Sequence, residues 1–134
     1  MTPAAFREAG HRVVDYIASY YERLQSADPP PVLSSVEPGE VFGHMAQSVP
    51  EVGSALDQGG LDELLHDLDE FVMPGLTHWQ HPNFYAFFPA NSSFPAILGE
   101  MLASGLAVQG MLWQTSPACT EIETAVLDQV ARLI

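Results

Sequence analysis

Proline placement limits what this chain can fold into more than any other feature, because 11 prolines divide 134 residues into short segments. Three prolines closely follow a helix-capping residue, which predicts a helix start at each place: Thr2-Pro3, Ser93-Phe94-Pro95 and Ser116-Pro117. The run Pro29-Pro30-Pro31 predicts an extended connector over residues 26–39, since consecutive prolines cannot continue a helix. The chain should therefore consist of short elements joined by irregular segments.

Apolar residues recur between the prolines in steps of three and four, which predicts mainly α structure. The predicted helices cover residues 3–25, about 40–48, 61 to Pro74-Gly75, about 94–108, and 117 to Ile134. The second long helix carries an acidic run that we interpret as a solvated face: Asp62, Glu63, Asp69 and Glu70. Residues 77–95 lack any period and are predicted to be irregular and partly buried.

Charge and cysteine content exclude several classes of function. The net charge is −13 and all four basic residues are arginines, so the chain should repel nucleic acid and anionic membrane surfaces. No apolar stretch is long enough to span a membrane, and the N-terminus lacks the order of a secretion signal. Cys119 is the only cysteine, which fits a reducing compartment and predicts a cytoplasmic protein. The charged fraction of 16% is low and suggests a surface covered by a partner.

Isolated candidate sites are weak on the residues alone. His78 and His81 are three apart, but Trp79 and Pro82 argue against the regular helix that would align them on a metal, so we expect no metal site. Cys119 lies in a predicted first helical turn that would favour a thiolate, yet we expect it to be a small core residue. No nucleophile-elbow, phosphate-loop or dinucleotide motif occurs.

An aromatic cluster is the most unusual feature: Trp79, Phe84, Tyr85, Phe87, Phe88 and Phe94. Each member taken singly is expected to belong to a hydrophobic core. Together, on a proline-rich segment without period, they could instead form the wall of a flat pocket for an aromatic ligand.

Two long strings resemble the pyridoxal-phosphate-dependent decarboxylases of aromatic amino acids, which act on tyrosine, tryptophan and dihydroxyphenylalanine. The strings are THWQHPNFYAFFPANSSFPAILGEML and QGMLWQTSPACTEIETAVLD. The front of the chain agrees as well, through FREAGHRVVDYIASYYERL, VEPGE and VMPGLTHW. The similarity runs over nearly the whole chain, in the family's order and at roughly its spacing.

The resemblance implies an N-terminal helical segment, residues 1–90, that packs across the partner subunit of a homodimer. Residues 91–134 would be the first helices of a large α/β domain of the fold-type I transferase kind. The parts that bind pyridoxal phosphate, including the lysine that holds it, would lie beyond Ile134. Because this chain has no lysine, we expect no catalytic or cofactor-binding residue in it, and no decarboxylation by the chain alone.

The resemblance also implies which residues line the substrate site: Trp79, Phe87, Phe88, Pro89, Ala90, Gln109 and Met111. The last two would reach into the pocket of the neighbouring subunit. Animal members often carry a hydroxyl residue at the position of Ala90, and some members an aromatic residue at that of Met111. The implied activity is a carboxy-lyase that orients the bond to the departing carboxylate.

Several alternatives stay open at this point. The substrate is any of several aromatic amino acids, and the reaction is either simple decarboxylation or the related oxidative deamination to an aldehyde. The chain could also be a catalytically inactive helical remnant that acts as a dimerisation or interaction module. A third hypothesis is a binding protein that uses the aromatic cluster without chemistry.

Overall fold

The computed structural model describes residues 1–48, 59–88 and 92–134, and within these ranges the regular structure is helical, without a strand. The ranges contain α1 (Pro3–Leu24), α2 (Glu40–Ser48), α3 (Leu61–Asp67), α4 (Phe94–Leu106) and α5 (Pro117–Ala131). The chain divides into two compact units, Met1–Asn91 and Ser92–Ile134. The prediction of a mainly helical chain is confirmed for the part that the structure describes.

Three helices begin where a capping hydroxyl is followed by proline. The side chain of Thr2 accepts a hydrogen bond from the N–H of Ala5 at 3.2 Å, and α1 begins at Pro3. Ser93 accepts the N–H of Ala96 at 3.3 Å to begin α4. Ser116 likewise accepts the N–H of Cys119 at 3.3 Å and begins α5. Each cap satisfies one of the free N–H groups of a first turn, so all three predicted helix starts are confirmed.

Two helices end earlier than the sequence predicted. The prediction carried α4 to Val108, but Ala107 takes a left-handed backbone with φ 50°, and α4 therefore ends at Leu106. The prediction carried α5 to Ile134, whereas α5 ends at Ala131. The N–H of Leu133 bonds the carbonyl of Val130 at 2.9 Å, a three-residue spacing that tightens the last turn instead of extending the α-helix.

The helix predicted from residue 61 to Pro74-Gly75 is a continuous helical segment that changes from α to π to 3₁₀ geometry. α3 gives way to a π-helical turn, Leu68–Val72, and then to a 3₁₀ turn, Met73–Gly75. The N–H of Met73 bonds the carbonyl of Leu68, which is a five-residue step. Pro74 then ends the run, because it has no N–H to donate and its ring crowds the preceding turn. Apolar spacing alone did not reveal this change of winding.

In the first unit, polar contacts connect α1 to α3, to the π-helical turn and to the segment that follows Gly75. We call the three α1 residues that make them, Arg12, Tyr16 and Tyr20, the α1 polar row. Arg12 pairs with Asp62, and the hydroxyl of Tyr16 donates to Asp69 Oδ1 at 2.8 Å. Tyr20 continues the row one turn later, so its members recur every four residues along one face of α1. The four acidic residues of this run are exposed, as predicted, and Asp62 and Asp69 are in addition paired with residues of α1.

Apolar burial in the first unit is concentrated at Leu24 of α1 and Leu61 of α3, which are 2% and 4% exposed. Part of the apolar stripe predicted for α1 is left open, because Phe6 and Val14 are exposed. The C-terminal end of the stripe is therefore buried, and its N-terminal end is exposed to solvent.

The second unit exposes the apolar side chains of both its helices. The exposed residues include Leu98, Met101, Leu102 and Leu106 on α4, and Ile122, Val126, Leu127 and Val130 on α5. Cys119, expected in a core, is half-buried and lies so close to Gly110 that a Cβ at Gly110 would stand 2.7 Å from its sulfur. Across the described residues, no helix combines the length and the apolar character that crossing a membrane requires.

Candidate functional site

The segment that follows Gly75 is fixed to the rest of the first unit at His78, which is 4% exposed. The N–H of His78 donates to the carbonyl of Val32 in the proline-rich connector at 2.9 Å. Its Nδ1 lies 3.0 Å from the hydroxyl of Tyr20, the last member of the α1 polar row. Main chain and side chain of one residue thus join the connector, α1 and the aromatic segment.

After His78 the chain makes two consecutive reverse turns that share His81, and we call residues 78–84 the tandem turn. The N–H of His81 donates to the carbonyl of His78 at 2.9 Å, and the N–H of Phe84 donates to the carbonyl of His81 at 2.9 Å. The side chain of His81 takes part as well, because its Nδ1 accepts the N–H of Asn83 at 3.0 Å. Short-range hydrogen bonds therefore hold an irregular segment in one shape.

Burial and neighbouring charge shift the protonation of the groups at this anchor. Burial lowers the pKa of His78 below its ordinary value, and the nearby His81 and Arg23 lower it further. Burial also raises the pKa of Tyr20, with a smaller contribution from Tyr21. Both shifts favour the neutral side chains, so the contact between Tyr20 and His78 is a hydrogen bond between uncharged partners.

The tandem turn brings aromatic rings together into a surface that we call the aromatic wall: Trp79, Phe84 and Phe87. The ring of Trp79 lies 5.0 Å from that of Phe84 and 5.9 Å from that of Phe87, centroid to centroid. The Trp79 and Phe87 planes differ by 26°, a stacked arrangement. Trp79 is 45% exposed and Phe87 is 87% exposed, so the expectation that such residues belong individually to a core is wrong for these two.

Phe87 adopts a left-handed backbone with φ 58°, which is unusual for an aromatic residue. Such a conformation carries a cost of about 1–3 kcal/mol and is found preferentially where function constrains the chain. The next residue, Phe88, is 98% exposed. Pro89 and Ala90, also predicted to line the substrate site, lie outside the described residues.

Gln109 and Met111, the other two predicted substrate-site residues, belong to the second unit and are exposed. The hydroxyl of Thr115 organises their turn, because it lies 2.7 Å from the carbonyl of Gln109 and 2.8 Å from that of Leu112. Trp113 in the same turn donates its indole N–H to Glu121 at 2.9 Å. The aromatic wall and this turn are thus separate features of two units.

The other candidates from the sequence give no site. No group of three or more metal-ligating side chains occurs within residues 1–48, 59–88 and 92–134, and the His78–His81 pair is used in the tandem turn. His11, His44 and His66 are exposed, and the ring of His44 stacks on that of Phe71 with 5.3 Å between centroids.

An open cleft of about 640 Å³ lies beside the anchor, lined by residues that include Tyr20, Arg23, Pro30, Leu33, Met73 and His78. Trp79, Phe87 and Phe88 do not line it. Trp79, Phe87 and Phe88 therefore form an outward-facing surface and not the lining of this cleft.

Three residues that organise this region were missed by sequence reasoning. Tyr20, Asn83 and Thr115 were not among the residues predicted to shape the site. Tyr20 is separated from His78 by 58 residues, so no local pattern could have paired them. Thr115 lies within six residues of its partners, and the turn-forming tendency of a threonine side chain was the available signal. Asn83 takes part through its backbone N–H, two residues after His81, which its residue type does not reveal.

The residues present can be compared with what a pyridoxal cofactor requires. Such a cofactor is held through a lysine amine, and all four basic residues of this chain are arginines. The aromatic wall is apolar and flat, which suits the ring of a substrate and not a phosphate group. The residues of this chain therefore fit a substrate-facing surface and do not by themselves fit a cofactor cradle.

Comparison with known proteins gives a consistent family. The pyridoxal-dependent decarboxylase conserved domain matches residues 43–134. Phenylacetaldehyde synthase of Arabidopsis thaliana is 45% identical over 134 residues, all of this chain and 26% of the relative. Tyrosine decarboxylase 2 of the same plant is 44% identical over 135 residues, again all of this chain and 24% of the relative.

Solved structures agree with the sequence matches. Catharanthus roseus tryptophan decarboxylase, in complex with L-tryptophan, has a TM-score of 0.86 and 41% identity over 98% of this chain and 27% of its own. The chain thus spans about a quarter of the length of the relatives that it matches. The matched domain, the sequence similarity over all of this chain and the shared structure show that this chain belongs to the pyridoxal-dependent decarboxylase family.

Proposed function

We propose that this chain is the N-terminal, substrate-facing part of a pyridoxal-phosphate-dependent carboxy-lyase that converts aromatic L-amino acids to arylalkylamines. The observation that carries the proposal is the aromatic wall, in which Trp79 stacks with Phe84 and Phe87 on an exposed surface. An aromatic substrate ring suits such a surface, because offset stacking adds to the gain from burying apolar area. Relatives named for tyrosine and tryptophan support an aromatic substrate.

The role of the wall is to bind and orient. Holding the substrate ring against fixed aromatic side chains removes rotational freedom and presents the bond to the carboxylate in one direction. We propose that Phe88, Pro89 and Ala90 extend the wall along the chain. Gln109 and Met111 are proposed to enter the pocket of the neighbouring subunit in a homodimer, and the 78% exposure of Met111 suits such a contact.

The family depends on pyridoxal phosphate. Since this chain has no lysine, the cofactor would be held by the remainder of the enzyme, a fold-type I large domain to which residues 91–134 contribute the first helices. Residues 1–90 would form the helical dimerisation segment. The division of the chain near residue 91 and the open apolar faces of α1, α4 and α5 support this arrangement. The lone cysteine supports a cytoplasmic location.

The test is a product assay on the polypeptide that the gene encodes in full, supplied with pyridoxal phosphate and with tyrosine, tryptophan, phenylalanine or dihydroxyphenylalanine in turn. Carbon dioxide together with the matching amine is the expected result. Formation of an aldehyde instead would assign the oxidative variant, for which a 45% identical phenylacetaldehyde synthase is a precedent. The 134-residue chain assayed alone should release no carbon dioxide, and turnover by it would contradict the proposal.

A second candidate is an inactive interaction module, and the exposed apolar side chains of α4 and α5 favour it. An isolated chain with this surface should associate, because exposed patches of this kind are the usual sites of protein contact. Sedimentation equilibrium would show a discrete oligomer that lacks cofactor absorbance. A monomer at micromolar concentration would count against the module.

A further inference from the structure

His81 occupies the junction of the tandem turn and uses three of its polar atoms there. Its N–H closes the first turn onto His78, and its carbonyl accepts the N–H of Phe84 to close the second. Its Nδ1 accepts the N–H of Asn83 at 3.0 Å. The first turn contains Trp79 and the second ends at Phe84, so this residue controls how the two rings meet.

The hydrogen bond from Asn83 fixes the protonation state of the imidazole. A backbone N–H can only donate, so Nδ1 must be unprotonated, and the neutral ring carries its single proton on Nε2. Nε2 is buried and has no hydrogen-bond partner among the described residues. A second proton, on Nδ1, would set donor against donor and would bury a charge without a partner.

We propose that His81 is a positioning residue: its Nδ1 accepts the N–H of Asn83 and so holds the tandem turn that stacks Phe84 on Trp79. The inference rests on the proposed function only where it treats the wall as substrate-facing. Its structural part concerns the turn and can be tested without any turnover.

Two substitutions separate the hydrogen-bond acceptor from the bulk of the ring. His81→Asn retains an acceptor, because an asparagine side chain accepts the N–H two residues on in the same geometry. His81→Leu keeps an apolar side chain of similar bulk but offers no acceptor. A purely structural role for a bulky buried ring would favour the leucine variant, whereas the proposal favours asparagine.

The measurement is ¹⁹F NMR of the full gene product labelled with 5-fluorotryptophan, with the Trp79 resonance assigned by its loss in Trp79→Phe. In His81→Asn this resonance should keep its wild-type position, because the turn retains its acceptor. In His81→Leu it should be displaced toward the position of solvent-exposed 5-fluorotryptophan.

Two results would overturn the inference: a displaced resonance in His81→Asn, or an undisturbed resonance in His81→Leu. If His81→Leu does not fold, the comparison of wild type with His81→Asn still decides. In turnover assays, KM for the aromatic substrate should rise severalfold in His81→Leu and change little in His81→Asn, and equal rises would also overturn it. A protein without turnover would refute the proposed function and leave the ¹⁹F comparison to decide about His81.

Discussion

The hydroxyl of Tyr20 and Nδ1 of His78 lie 3.0 Å apart although 58 residues separate them in the chain. This contact is the point at which α1 reaches the segment that carries the aromatic wall. His78 is almost completely buried there, so the hydrogen bond also supplies a partner for a ring nitrogen that water cannot reach.

Removing the hydroxyl in Tyr20→Phe should lower the free energy of unfolding by about 1–3 kcal/mol, because a buried ring nitrogen is left without its partner. Urea denaturation followed by circular dichroism measures this change. Tyr85→Phe is the matched control, since Tyr85 is 87% exposed and its hydroxyl is open to water. Equal effects of the two substitutions would mean that the contact contributes nothing to stability.

Stability should depend on pH through His78. Its pKa is lowered in the folded protein, mainly by burial, so the unfolded chain binds a proton more readily than the folded one. The stabilisation is complete above the unfolded value of about 6.5 and decreases as pH falls below it. Urea midpoints measured from about pH 8 to about pH 5 should fall, and His78→Gln should flatten this part of the profile. A profile unchanged in His78→Gln would assign the dependence to other groups.

Asp69 should matter more than Asp62 in the α1 polar row. Asp69 accepts the hydroxyl of Tyr16 and lies near Arg23, whereas Asp62 takes part in one exposed ion pair with Arg12. Asp69→Ala should cost about 1–2 kcal/mol of unfolding free energy and Asp62→Ala less than about 1 kcal/mol. Raising the salt concentration should weaken the Asp62 effect most, and the reverse ranking of the two variants would contradict this assignment.

Gly110 should tolerate no side chain while Cys119 is present. A Cβ there would stand 2.7 Å from the Cys119 sulfur, so Gly110→Ala should destabilise the second unit by about 1–3 kcal/mol. The double variant Gly110→Ala, Cys119→Gly should recover most of the loss. Gly105→Ala in α4 is the control, because a Cβ there meets nothing within 4 Å. Thermal melts of the four proteins give the coupling, and additive losses would argue against the contact.

Removing the central ring of the wall should impair substrate binding in the proposed enzyme. Trp79→Ala should raise KM for an aromatic amino acid by about tenfold, equivalent to about 1.4 kcal/mol of lost contact. Tyr85→Ala, an exposed position outside the stacks, should leave KM within about twofold, as a surface substitution does. Steady-state kinetics of the full gene product decide, and an unchanged KM in Trp79→Ala would remove Trp79 from the substrate site.

Local signals in the sequence predicted helix starts well, and long-range contacts poorly. Thr2, Ser93 and Ser116 each cap a helix through an atom three residues away, so the information is contained in a few neighbouring letters. The pairing of Tyr20 with His78 depends on where two distant segments meet, and no spacing rule contains it. The π-helical turn at Leu68–Val72 was missed because an apolar stripe cannot distinguish a five-residue step from a four-residue one.

The aromatic segment shows the same division. Its aromatic density left a wall open as an alternative to a core, and Trp79 stacks with Phe84 and Phe87. The expectation of individual core residues failed for Trp79 and Phe87 because the segment is held by hydrogen bonds from His78 and His81 instead of by burial of its rings. The acidic run likewise could not reveal partners that lie on α1, about 50 residues earlier.

The hydrogen bonds that set the shape of the tandem turn are separate from the rings that form the surface of the aromatic wall. Its shape is set by main-chain bonds at His78, His81 and Phe84 and by one imidazole nitrogen, and none of these bonds involves an indole or phenyl ring. Rings at positions 79 and 87 can therefore be exchanged without dismantling the support behind them. Substitution of these exposed rings could change the preferred aromatic substrate during evolution, while the hydrogen-bonded turn beneath them is retained.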